Sequence, residues 1–291
     1  MKQGKEVENP ESRFFAVLLA AAKLPGVRIH REAYLRSALA RHCSEDEVRR
    51  AIDETPAAAG ITVEVLDKAA NDSIRYETAK VSALSAAAGI PGILALPATV
   101  PADLAQYVGH MLRIAQKLAY LYSWPDLFSD EGDDVDDATV GVLTLFFGVM
   151  FGTQSANAAV GKVAGMMSEQ AAKKLPQKAL TKGVIYPIVK KVATYVGVKM
   201  TKESFAKTVS KAIPLVGAAV SGGLTFATYL PMAKRLKKHL ADLPLADPSY
   251  RVGEEDIVDG EVVEDHETFV PAHAEQHGAD TTAVKLEEPR S

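Results

Sequence analysis

The sequence lacks most of the features by which a reaction announces itself. It has one cysteine, Cys43, in 291 residues. That excludes an internal disulfide framework and suits a reducing compartment. No Gly-x-Ser-x-Gly elbow, no phosphate-binding Walker loop and no zincin motif occurs. Strand-like alternation is scarce, and alanine, leucine, lysine and glutamate recur at helical spacing, so the chain reads as all-α. Arginine is missing from residues 162–211, although that stretch holds 11 lysines and only 2 glutamates. Charge is missing altogether from three runs: Val81–Ala102, Ala138–Gly161 and Ala212–Ala233.

What is present is distributed in blocks. Residues 241–291 hold 14 acids and 3 Lys/Arg, a net −11, so the body of the chain is basic although the whole carries −4. The apolar run Phe14–Ala22 follows Lys2, Lys5 and Arg13. Glu6, Glu8 and Glu11 spoil the basic flank of a signal peptide, so a helix and a cytoplasmic location are expected. The spacing predicts helices over Arg13–Leu24, Arg31–His42 and a third opened by a capping box at Ser44 with Glu47. A long helix follows over Thr62–Ala88. Three prolines and two glycines between Gly89 and Pro101 then force a bent connector. The next helix starts near Thr99–Asp103 and ends near Tyr122, before Pro125. The acidic string Ser129–Asp137 lacks the glycine and glutamate positions of a calcium loop, and reads as a helix start favoured by the dipole. Gly148/Gly152, Gly161/Gly165, Gly217/Ser221 and Gly223/Ala227 are four apart, a spacing that lets helices approach closely. The organisation expected is a flexible N-terminus (1–12), a small helical unit (13–60), a helical core packed through small residues (61–243) and an acidic tail (244–291) with too little apolar surface to order itself.

The uncharged runs are long enough to span a bilayer but not apolar enough. The second offers about −3 to −5 kcal/mol before its Thr, Gln, Ser and Asn residues subtract. A hairpin of the second and third runs would also leave basic clusters on both sides, against the positive-inside tendency. Core helices or shallow insertion fit better than true spans.

The connector Ile90–Asp103, its helix and the exit AYLYSWPDL resemble the first block of the EcsC protein family. The segment Lys211–Leu240, KAIPLVGAAVSGGLTFATYLPMAKRLKKHL, resembles that family's closing block. The likeness covers roughly residues 62–240, which makes 61–243 the EcsC-like core. The family's Tyr-Gly at the end of the first block is Tyr122-Ser123 here, and the asparagine of its closing helix falls at Thr225 or its neighbours. The resemblance implies an all-helical, membrane-associated bacterial accessory protein. The founding member is encoded beside an ABC-transporter operon.

Two functional expectations follow. The first is a peripheral-membrane accessory or interaction protein. Lys173, Lys174, Lys178, Lys182, Lys190, Lys191, Lys234, Arg235, Lys237 and Lys238 would meet an anionic membrane surface, an acidic partner or a membrane-protein partner. The second is a hydrolase-like enzyme using Asp103, Tyr107 and His110, which share a helix face at i, i+4 and i+7. No cofactor and no metal is expected. His42-Cys43 reads as helix surface, and His266, His273 and His277 as exposed tail residues. The lysine block has few aromatics and no arginine, which argues against base recognition in nucleic acid. The oligomeric state is left open.

Overall fold

The structure, a computed structural model, describes the backbone of residues 9–88, 99–128, 134–169, 174–211 and 216–249. Side chains are described for 9–83, 104–128, 134–168, 174–200 and 226–249. The connector after Ala88, most of the acidic string and the tail from residue 250 lie outside the described residues. So do Lys173 and the three tail histidines.

The described residues are all-helical, without a strand. The α-helices are α1 (Pro10–Ala22), α2 (Arg31–Leu39), α3 (Glu45–Asp53), α4 (Val63–Ala88), α5 (Thr99–Leu121), α6 (Asp137–Met150), α7 (Gln154–Glu169), α8 (Gln177–Thr181), α9 (Tyr186–Lys211) and α10 (Val216–Ala241). Local chemistry explains where several begin. The Asn9 side chain accepts from the Glu11 N–H and Pro10 takes the first helical position, so α1 starts before the expected Arg13. Ser44 and Glu47 close the capping box of α3: Ser44 N–H donates to Glu47 Oε2 at 2.7 Å, and Glu47 N–H donates to Ser44 Oγ at 3.3 Å. Asp136 accepts from the N–H groups of Ala138 and Thr139, both at 3.0 Å, so the end of the acidic string is a helix cap. The helix is interrupted between α8 and α9 just before Pro187, and Pro187 itself sits in the first turn of α9, where its missing N–H costs nothing.

The second uncharged run is not one helix. It bends at Phe151–Thr153 into α6 and α7. Gly152 turns the chain there with φ +82, a conformation that glycine adopts without steric cost. One turn earlier, a Cβ on Gly148 would meet Ala156 Cβ at 2.5 Å and Val192 Cγ1 at 2.6 Å. The Gly148/Gly152 pair is therefore a close-packing and turning device, as its spacing suggested. Gly161 and Gly165 have open space where a Cβ would go, so that pair brings no backbone close. The other two pairs involve side chains outside the described set.

α6 is the core helix. It touches α1, α5, α7, α8, α9 and α10, and nearly every one of its side chains is buried. A helix that is apolar all round must be enclosed. Phe14 of α1 meets Phe147 edge-on at 5.8 Å, and Trp124 meets Phe146 edge-on at 4.9 Å. Each such aromatic contributes about 1.5–3 kcal/mol by leaving water. α1 lies against both α5 and α9, so the N-terminal segment shares the core of the rest. α4 pairs with α5 and most extensively with α10.

No helix among the described residues is long and apolar enough to cross a membrane. α6, at 14 residues, is about 21 Å long, short of the ~30 Å hydrocarbon thickness.

Candidate functional site

The α4–α5 seam carries the densest polar chemistry of the described residues. Glu77 of α4 is fully buried. Three α5 residues, at i, i+3 and i+7, converge on its carboxylate. Lys117 Nζ donates to Oε1 at 2.7 Å, Arg113 Nη2 donates to Oε1 at 3.0 Å, and Arg113 Nε donates at 3.1 Å. His110 Nδ1 lies 3.5 Å from Oε2. Burial pushes the Glu77 carboxyl upward, but the hydrogen bonds from His110, Arg113 and Lys117 outweigh it and hold the group well below the usual carboxylate range. Lys117 Nζ also sits over the rings of Tyr34 and Tyr76, at 5.5 and 5.2 Å. Tyr34 and Ser73 share a hydrogen bond of 2.7 Å. Burial raises the Tyr34 phenol strongly, so it stays neutral.

The seam reaches the loop between α1 and α2. Arg113 Nη1 donates to the Gly26 carbonyl. Gln116 accepts from the Ile29 N–H at 2.8 Å and donates to the Val27 carbonyl at 3.0 Å. At the other end Tyr122 donates to Asp67, whose second oxygen takes Lys237 Nζ at 2.8 Å. Asp67–Tyr122 and Glu77–Arg113 show that α4 and α5 run antiparallel. Glu77 is the residue that sequence reasoning missed. In the sequence it is one acid on a mixed helix; only the apolar positions on either side of it, Ile74 and Val81, hint that it faces inward.

The residues proposed for acid–base chemistry are placed as follows. Tyr107 and His110 are both 8 % exposed. Tyr107 packs edge-on against Tyr229 at 6.4 Å, and its hydroxyl lies 3.5 Å from Thr228 Oγ1 on α10. His110 turns to Glu77, and its carbonyl accepts from the Tyr229 hydroxyl at 3.0 Å. The face is thus divided between two packed neighbours. The Asp103 side chain is outside the described set. His42 Nε2 lies 3.7 Å from Asp72 beside half-buried Cys43. No group of three or more His, Cys, Asp or Glu that could hold a metal occurs among the described residues.

The basic residues divide as well. Lys174, Lys178, Lys182, Lys190 and Lys191 are exposed on α8, α9 and the segments before them. Lys190 makes a long ion pair with Glu11 at 3.7 Å. Lys234 and Lys238 are exposed on α10. Arg235 and Lys237 are tied to the fold: exposed Arg235 donates to the Met150 carbonyl at the end of α6, and half-buried Lys237 holds Asp67. Those two are structural contacts in the cluster that the sequence offered as surface.

No family model, no curated protein and no solved structure matches this chain.

Proposed function

We propose that the protein is a peripheral-membrane accessory protein, similar to the EcsC family, that meets an anionic membrane surface through its α8–α9 face. The observation that carries the reading is one-signed charge. Residues 174–200 include Lys174, Lys178, Lys182, Lys190, Lys191 and Lys199 with no Asp, Glu or Arg, and all six lysines are exposed. Such a face is a poor bidentate reader of nucleic acid but a good counter-charge for a negative leaflet. Each lysine contributes about 1 kcal/mol near such a surface, within a Debye length of ~8 Å at physiological salt. The packed state of Tyr107 and His110 supports an interaction role over an enzymatic one.

Flotation of the full chain with vesicles tests the reading. Recovery is expected with phosphatidylserine-containing vesicles, to fall with salt, and to vanish in Lys178→Glu/Lys182→Glu/Lys191→Glu. Equal recovery on phosphatidylcholine alone, or none on either, removes the membrane reading; capture by an acidic protein surface would then be the meaning of the lysines.

A further inference from the structure

We infer that the protein meets the headgroup–acyl boundary with one end of its helical bundle, the end where α4 and α9 finish and α5 and α10 begin. This rests on the membrane reading above and assigns lipid contact to two of the three uncharged runs. The second run is accounted for by enclosure, since nearly every side chain of α6 is buried in the core. The first and third runs come together at a different place.

The register of α4, α5 and α10 fixes that place. Glu77 of α4 lies at His110 of α5, and Tyr229 of α10 donates to the His110 carbonyl at 3.0 Å. Lys237 of α10 holds Asp67 of α4 at 2.8 Å. α4 is therefore antiparallel to α5 and to α10. From this level α4 continues to Ala88, α5 reaches back to Thr99 and α10 reaches back to Val216. At 1.5 Å per residue each extends about 16–20 Å in the same direction. Past Lys80 on α4 and Asp103 on α5, and over Val216–Ala233 on α10, none of the three carries a charge. α9 packs against α10 and ends at Lys211, with only residues 212–215 before Val216, so its last turns lie at the same end.

The rim of this end is apolar where its side chains are described. Ala83 on α4 and Phe226 and Ala227 on α10 are exposed, Phe226 by 51 %. The helix ends elsewhere differ. α1, α3 and α6 open on the polar caps Asn9, Ser44 and Asp136, as helix ends that meet water do. The first turn of α10, Val216–Ala219, has no polar side chain in its sequence, and neither has Ala86–Ala88 at the close of α4.

Charge selects the occupant. The exposed Lys190, Lys191 and Lys199 continue along α9 into residues 201–211, where Lys202, Lys207 and Lys211 stand against one acid, Glu203. The uncharged end is thus bordered by the same helix that supplies the lysine face. Cations beside an uncharged apolar end match a leaflet that is anionic at its headgroups and apolar a few ångströms deeper.

The test uses the full chain with vesicles of phosphatidylcholine and phosphatidylserine in equal parts. Ala83→Trp and Phe226→Trp each place an indole on the rim. Ala58→Trp places one at the opposite end, beside Ala57, whose N–H donates to Ser123 at the close of α5. The native Trp124 is fully buried, so the added ring reports the change. Expected are a blue shift on binding and quenching by lipids brominated in the acyl chain for the two rim variants, and neither for Ala58→Trp. Phe226→Gln, which leaves the charge unaltered, should lower vesicle affinity about fivefold at fixed salt, the loss of a half-exposed phenyl ring from the apolar boundary. It should melt like wild type, as substitutions at exposed positions do. The inference is overturned if the rim variants float with unmoved emission, if Ala58→Trp is quenched as strongly as they are, or if Phe226→Gln binds like wild type. In each case the lysine reading survives. If wild type itself fails to float on anionic vesicles, the membrane reading is lost and this inference with it.

Discussion

Glu77→Gln isolates what the buried carboxylate does. The substitution keeps the shape of the side chain and removes one charge from beneath two cations. Lys117 and Arg113 retain only 11 % and 17 % side-chain exposure, so water replaces the lost partner poorly. A unit pair 4 Å apart at an effective dielectric of about 20 is worth about 4 kcal/mol. Breaking a buried pair by removing one partner costs about 3–5 kcal/mol, because an uncompensated charge stays behind. Partial exposure of the cations puts the expected loss near the lower end, about 3 kcal/mol. Against a typical stability of about 5–15 kcal/mol that is a large fraction. In urea, with m of about 1–3 kcal/mol/M, the midpoint should fall by about 1 M or more. The melting temperature should drop by about 6–12 °C for a domain of this size. The sign in pH follows from the depressed carboxyl: folded Glu77 titrates below its unfolded range near 4.3, so its contribution is complete above about pH 5–6 and is lost as pH falls. The gap between wild type and Glu77→Gln should therefore narrow in acid. Replacing the cluster together, as Glu77→Met/Arg113→Met/Lys117→Met, should cost less than Glu77→Gln alone, since no charge is stranded. A Glu77→Gln protein within about 1 kcal/mol of wild type, with the same acid limb, would refute the reasoning.

Three further outcomes are expected from equilibrium unfolding. Gly148→Ala should destabilise by about 1–3 kcal/mol, because overpacking against Ala156 and Val192 exceeds the gain of about 1 kcal/mol in helix propensity. Asp136→Ala should cost about 0.5–2 kcal/mol through the lost cap of α6. Ser123 ends α5 with φ 68, and its Oγ accepts from the Ala57 N–H at 3.0 Å. Ser123→Gly should be near neutral, relief of the left-handed backbone offsetting the lost bond, whereas Ser123→Ala keeps the strain, loses the bond and should cost about 1–3 kcal/mol.

Serine occupies a turn whose backbone favours glycine. The backbone at Ser123 is one that glycine adopts freely, and Trp124 N–H closes the helix on the Ala119 carbonyl at 2.9 Å. The left-handed turn at Ser123 is thus accommodated locally, by a hydrogen bond that glycine lacks.

Much of the architecture was legible in the residues. Helical periodicity, the Ser44/Glu47 box, the uncharged run of α6 and the Gly148/Gly152 pair are local or self-evident in composition, because caps and apolar stripes act over a few residues. The same locality explains what failed. α1 begins at Pro10 and not at the expected Arg13, since Asn9 caps it and proline suits the first helical position.

The sequence by itself determined an all-helical chain, its one-signed lysine block and the absence of any catalytic signature. Only the tertiary structure decided which polar residues matter to one another. Glu77 and its three α5 partners are 33 to 40 residues apart in the chain, and nothing in their spacing announces that they meet. Arg235 and Lys237 share a basic cluster with Lys234 and Lys238, yet those two engage Met150 and Asp67 across the fold while Lys234 and Lys238 are exposed. The physical reason is one of range. Periodicity says which face of a helix is apolar, but a charge finds its counter-charge only after the helices have packed.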